Sequence, residues 1–140
     1  MARAKGRFDP APWGRYCATA DHRAVPQVVF TDPEVGAAGL TEAEARQAGL
    51  DVRVVDYAIG DVAGASLYAD GYRGQARMVV DEARRVVVGM TFVGPAVGEL
   101  VHAATIAIAA EVPLERLWHA VPSYPTISEV WLRLLEAYGL

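Results

Sequence analysis

His119-Ala-Val-Pro-Ser-Tyr-Pro-Thr-Ile-Ser-Glu129, running on into Val130-Trp-Leu-Arg-Leu-Leu-Glu136, is the stretch from which the rest of the chain is read. Its first half holds Pro122 and Pro125. Proline lacks a backbone N–H and fixes φ, which excludes a helix interior and a central strand. The second half opens with Thr126-Ile-Ser-Glu129, the pattern of a capping box. In such a box the Thr126 hydroxyl accepts from the Glu129 N–H, and the Glu129 carboxylate reaches back to the Thr126 N–H. Ile127, Val130, Trp131, Leu134, Leu135 and Tyr138 follow at helical spacing, so one face is apolar. The expectation is a proline-braced loop that feeds a helix and holds Tyr124 in a fixed place.

Working back from this loop, Pro113 suits the first turn of a short helix over Leu114–Trp118. Before it, Ala96 to Glu111 is alanine-rich and apolar on several sides, which predicts a long helix buried on more than one face. Gln75–Asp81 and Val86–Val93 read as two strands joined by Asp81-Glu-Ala-Arg-Arg85, hence an antiparallel hairpin. Gly89 interrupts the second and signals a bulge or a close contact. Gly60 to Gly74 reads as loop, and Gly60-Asp-Val-Ala-Gly64 lacks the glycine pattern of a phosphate cradle. Val52–Ile59 alternates as a strand. Thr41-Glu-Ala-Glu44 is a second capping box, opening a short helix that Gly49 stops. Gln27–Phe30 is a short strand ended by Asp32-Pro33, with Val35–Gly39 extended beyond the turn. Strands cluster centrally and helices late, which predicts an α+β domain with a central antiparallel sheet and helices packed on one side. Residues 1–24 read as a connector and 25–140 as the domain; Trp13 and Tyr16 tuck onto it.

Composition narrows the classes. At 140 residues the chain is one domain, and 53% hydrophobic residues give it surplus apolar surface of the kind hidden against a partner. The net charge of −4 and scattered arginines give no basic stripe for nucleic acid. No apolar run reaches transmembrane length, and Met-Ala-Arg-Ala-Lys5 has no apolar signal segment. Cys17 is the single cysteine, so no intrachain disulfide forms; an inert thiol and a reducing, cytoplasmic compartment are the expectation. No His/Cys/Asp/Glu cluster has metal-ligand spacing.

Three ordered segments carry a resemblance. Tyr124-Pro-Thr-Ile-Ser-Glu129 is similar to the His-Pro-Thr-x-Ser-Glu motif of the flavin-dependent pyridine nucleotide–disulfide oxidoreductases, the family of dihydrolipoamide dehydrogenase, glutathione reductase and soluble transhydrogenase. Val25-Pro-Gln-Val-Val-Phe-Thr-Asp-Pro-Glu-Val35, with Gly39-Leu-Thr-Glu-Ala-Glu44, resembles the opening of its C-terminal dimerisation domain. Gly89-Met-Thr-Phe-Val-Gly-Pro-Ala-Val-Gly-Glu-Leu100 resembles that domain's strand-to-helix passage. The resemblance implies a homodimer within a longer flavoprotein whose upstream domains bind FAD and NAD(P). This chain has no Gly-x-Gly-x-x-Gly and no cysteine pair, so alone it is expected to bind neither cofactor and to be inactive.

The resemblance also implies a site. The family's histidine, oriented by the following glutamate, enters the partner subunit's active site as a proton carrier, a task suited to its near-neutral pKa. Here the matching residues are Tyr124 and Glu129, with Pro125 in the loop beside the partner's flavin. An ordinary tyrosine titrates near ~10 and is a poor base at neutral pH. Tyrosine at this place resembles the soluble transhydrogenase pattern, hydride transfer without a thiol base. The plainer readings are Glu129 as a capping residue, Tyr124 as an interface wedge and His119 as a helix-end cap. Two other functions stand beside this one: a free-standing α+β interaction module, and a small enzyme using His119, Tyr124 and Glu129.

Overall fold

A computed structural model gives the fold, and it describes residues 21–140. Trp13, Tyr16, Cys17 and most of the expected connector lie outside the described residues. Five strands form one sheet: β1 (Gln27–Val29), β2 (Glu34–Gly39), β3 (Val52–Ala58), β4 (Gln75–Asp81) and β5 (Val86–Gly94). Their order is β1-β2-β5-β4-β3 with every pair antiparallel. The helices are α1 (Glu42–Gln47), α2 (Ala63–Tyr68), α3 (Val101–Ala109), α4 (Leu114–Leu117) and α5 (Val130–Tyr138).

The hairpin predicted from Asp81–Arg85 is present, with Asp81 opposite Val86. Buried Asp81 makes the turn: its Oδ1 accepts from the N–H groups of Ala83 and Arg84, and Arg85 takes a positive φ. The irregularity at Gly89 is a bulge that leaves Val88 as the extra residue between the Val79–Gly89 and Val80–Val87 pairs. It is also a close approach. A Cβ on Gly89 would stand 1.8 Å from the Leu40 carbonyl oxygen, while the Leu40 N–H donates to the Val88 carbonyl at 2.8 Å.

Side-chain alternation sends Ala76, Met78 and Val80 of β4 to one face of the sheet, with Met90 and Phe92 of β5. On that face α3 contributes Val101, Ala104 and Ile108, and α5 contributes Val130, Leu134, Leu135 and Tyr138. The opposite face carries a smaller cluster, Ala45 of α1 with Val52 and Val79. The helices that build the main core therefore lie on one side, as expected, and the short α1 lies on the other. Its capping box closes in both directions: Glu44 N–H to Thr41 Oγ1 at 3.2 Å and Thr41 N–H to Glu44 Oε2 at 2.8 Å.

Three expectations need correction. The segment Gly60–Gly74 is not all loop, because a 3-10 turn (Ile59–Asp61) and α2 lie within it. The helix expected over Ala96–Glu111 begins as a 3-10 turn (Val97–Leu100), since Ala96 is left-handed, and regular helix spans only Val101–Ala109. Nor is it buried on more than one face within this chain. Ala104 and Ala107 pack inward, whereas His102, Ala103 and Ile106 are exposed. Alanine-rich sequence signals close approach of something, and in one copy only the sheet supplies it.

Candidate functional site

The proline loop is held from behind by α2. Gly64 of α2 has no room for a side chain: a Cβ there would stand 2.0 Å from the Thr126 carbonyl carbon. Only glycine lets two main chains come so close. α2 is in turn fixed to the end of β5 by Tyr72, whose buried hydroxyl donates to the Pro95 carbonyl at 2.8 Å. Burial pushes this phenol up to about 12, so it remains a donor throughout the neutral range. Tyr68 meets the Tyr72 ring edge-on at 5.7 Å.

The loop closes on itself through the Thr126 hydroxyl, which donates to the Ser123 carbonyl at 2.6 Å. The capping box expected at Thr126 does not form. Glu129 lies in a 3-10 turn (Ile127–Glu129), and its N–H donates to the Thr126 backbone carbonyl at 3.2 Å. The carboxylate turns to Arg133 instead, with Oε1 accepting from Nη2 at 2.6 Å and from Nε at 3.1 Å. A guanidinium one helical turn away is a stronger partner for a carboxylate than a neutral backbone N–H. At the first box the residue four beyond Glu44 is Ala48, so nothing competes.

Glu129 is 3% exposed, and with Asp81 it is one of two buried charged residues among those described. Its Oε2 has no hydrogen-bond partner. Arg133 also donates from Nη1 to Glu136 Oε2 at 2.8 Å. Glu136 and then Glu129 hold the guanidinium above its usual range.

Tyr124 is 75% exposed, follows Ser123 in the loop and is joined to Pro125 by a cis peptide. No hydrogen bond links it to Glu129, so the structure brings these two site residues into one loop without placing them in contact. Exposed Pro125 lines a shallow groove with Gly64, Leu67 and Tyr68 of α2. His119 is exposed beyond α4, where its N–H donates to the Arg116 carbonyl; neither it nor His22 or His102 joins the loop in a cluster. Among the described residues no group of three His, Cys, Asp or Glu side chains is placed to hold a metal. The sequence reading misses Arg133, although the Glu129/Arg133 spacing of four on a helix is open to inspection.

Beside the loop lies an uncovered apolar surface. α3, α4 and α5 enclose a groove of about 410 Å³ lined by Ala103, Ile106, Leu117, Ala120, Pro122, Trp131 and neighbours. Ile106 is 54% exposed and Val121 84%, and Trp118 and Tyr124 are exposed along the same stretch of chain.

Residues 25–135 match the family model described as the pyridine nucleotide-disulphide oxidoreductase dimerisation domain. The chain belongs to that family. Among curated relatives of this dimerisation domain, the dihydrolipoyl dehydrogenase of Haloferax volcanii is 36% identical over 116 residues, covering 83% of this chain and 24% of the relative. That of Thermus scotoductus is 36% identical over 113 residues, covering 81% and 24%. The chain thus spans about a quarter of the length of these relatives. Among solved structures, the HOCl-induced flavoprotein disulfide reductase RclA from Escherichia coli is similar with a TM-score of 0.78 at 25% identity, over 93% of this chain and 29% of that one. LpdA from Mycobacterium tuberculosis shares the fold, with a TM-score of 0.79 at 19% identity over 90% and 27%. The α+β class read from the sequence is the fold of this dimerisation domain. Among the described residues no helix is long and apolar enough to cross a membrane.

Proposed function

We propose that this chain is the C-terminal dimerisation domain of a longer FAD- and NAD(P)-dependent oxidoreductase, with residues 1–24 as connector and 25–140 as the domain. Two copies pair through the α3–α4–α5 face and the proline loop. The observation that carries this reading is the largely apolar groove between α3, α4 and α5, lined by Ile106, Leu117, Pro122 and Trp131, which one copy leaves open. An obligate homodimer buries on the order of 2,000–5,000 Å² in total. Sedimentation at micromolar concentration is expected to give a dimer. A monomer across the whole dilution series would count against the reading. A cytoplasmic location belongs to the same reading and rests on the single cysteine, Cys17.

In this dimer the loop of one copy lies beside the flavin of the other. The exposed ring of Tyr124 and the exposed Pro125 fit a flat, largely apolar group. Bound FAD supplies the hydride chemistry between nicotinamide and substrate. Tyr124 packs against it or donates a hydrogen bond and excludes water. It does not serve as the base, because an ordinary phenol is a poor proton acceptor at neutral pH. Nothing hydrogen-bonds the Tyr124 hydroxyl among the described residues, and no guanidinium or ammonium stands paired with it. In the full-length protein, Tyr124→Phe is expected to leave flavin reduction by NAD(P)H within about tenfold of wild type, equivalent to ~1.4 kcal/mol. A thousandfold loss with dimer and flavin content intact would make the phenol a true acid or base.

A further inference from the structure

Three of the described helices close with the same pair of main-chain bonds. At the end of α1 the Gly49 N–H donates to the Arg46 carbonyl at 3.0 Å and the Leu50 N–H to the Ala45 carbonyl at 3.1 Å. At the end of α5 Gly139 donates to Glu136 at 3.0 Å and Leu140 to Leu135 at 3.1 Å. At the end of α3 Glu111 donates to Ile108 at 3.1 Å and Val112 to Ala107 at 3.0 Å. This closure needs a left-handed residue, a conformation that glycine adopts without the cost a β-carbon brings. Gly49 and Gly139 have φ of 80° and 112°, and Glu111, at 46°, stands where the other two helices have glycine. Nothing in the helix end asks for glutamate, so the reason lies in its side chain. That carboxylate divides between two guanidinium groups: Oε1 accepts from Arg23 Nη1 at 2.8 Å, and Oε2 lies 2.6 Å from Arg84 Nη2. Arg84 and then Arg23 hold it below the usual carboxylate range. Arg84 belongs to the β4–β5 turn, where its N–H is held by Asp81. Arg23 belongs to the turn by which the chain enters the domain. Its Nε and Nη2 fork onto the two oxygens of Asp21 at 3.2 and 3.0 Å, and its N–H donates to Asp21 Oδ1 at 2.9 Å. The Ala24 N–H closes the turn onto the Asp21 carbonyl at 3.0 Å, and Ala24 itself is buried in the main core.

We propose that Glu111 is the anchoring residue of a clamp, Asp21–Arg23–Glu111–Arg84, that holds the entry of the chain against the C-terminal end of α3. A single exposed ion pair holds little in water. Here one carboxylate joins two guanidinium groups, and the fork onto Asp21 leaves Arg23 little freedom to turn away. The clamp thereby fixes where residue 21 leaves the domain, relative to α3 and the β4–β5 turn. That this point carries the link to cofactor-binding domains, and that α3 is a pairing helix, rests on the proposed function. The clamp itself belongs to this chain alone.

Amide hydrogen exchange in the 140-residue chain is the test. Glu111→Gly removes the carboxylate and suits the left-handed backbone, so the fold is kept. The Ala24 amide should then exchange on the order of tenfold faster at low salt, as a local opening. The amides of Met78 and Phe92, in the centre of the sheet, should exchange no faster than in the wild type. Raising the salt should bring Ala24 of the wild type toward the variant, because exposed charges are screened. Arg23→Met should free the Ala24 amide at least as much, and adding Glu111→Gly to it should change nothing further. Equal Ala24 exchange in the wild type and Glu111→Gly would overturn the clamp, as would effects of the two changes that multiply. A rise at Met78 and Phe92 in step with Ala24 would also overturn it, by making Glu111 a residue of global stability. The measurement needs only this chain, so its result is separate from the fate of the proposed function.

Discussion

Gly89→Ala should lower the stability of the domain by about 3 kcal/mol, the upper part of the range for forcing volume into a packed interior. The new methyl would sit 1.8 Å from the Leu40 carbonyl oxygen and 2.9 Å from its carbonyl carbon. Main-chain atoms cannot step aside as the tip of a side chain can. Here they are fixed further by the Leu40 N–H to Val88 bond and by the β2–β5 ladder, where Gly39 lies opposite Gly89. Relief requires separating β2 from β5 at the centre of the sheet, under α3. Gly49→Ala is the control. Gly49 has a positive φ, and an added methyl there would meet nothing within 4 Å, so its cost is backbone strain alone, about 1 kcal/mol. Chemical denaturation of the two variants measures the difference. Equal losses would mean that the sheet relaxes around residue 89 and that the close approach is not what selects glycine there.

Ile106→Arg is expected to abolish dimerisation at micromolar concentration. Ile106 stands on the outer face of α3 beside the apolar groove, and in a twofold pair any change there is made twice. Apolar anchors at the centre of an interface are worth about 2 kcal/mol or more each, and burying two unpaired guanidinium groups costs further. A weakening on the order of a hundredfold follows at the least. Because the side chain is more than half exposed in one copy, the fold of the monomer should be unaffected, and circular dichroism should show the same helix and strand content. A variant that still sediments as a dimer would move the interface away from α3.

The two Thr-x-x-Glu patterns show how much of this is legible in the sequence. Both Thr41–Glu44 and Thr126–Glu129 carry the same local signal, and both precede a helix. At Thr41 the local signal is the whole account, and the box closes. At Thr126 a charged donor one turn further on captures the glutamate, so a residue outside the pattern decides. The helix starts near the expected place in both cases, because apolar periodicity, and not the box, buries α5.

The strands themselves, the Asp81–Arg85 hairpin and the apolar face of α5 follow from periodicity and turn chemistry within the chain's own short range. So does the family resemblance, because the motifs that carry it are contiguous. What the sequence cannot decide lies between segments far apart along it. Ala63–Tyr68 reads as loop because it is six residues flanked by glycines, too short and uncapped to declare itself a helix. It is helical because its backbone, at Gly64, fits against Thr126, sixty-two positions later in the chain. Whether Glu129 faces Thr126, Tyr124 or Arg133, and whether the outer face of α3 is covered, are likewise questions of which groups meet in space. Local sequence sets what each segment prefers; long-range packing alone decides which preference is met.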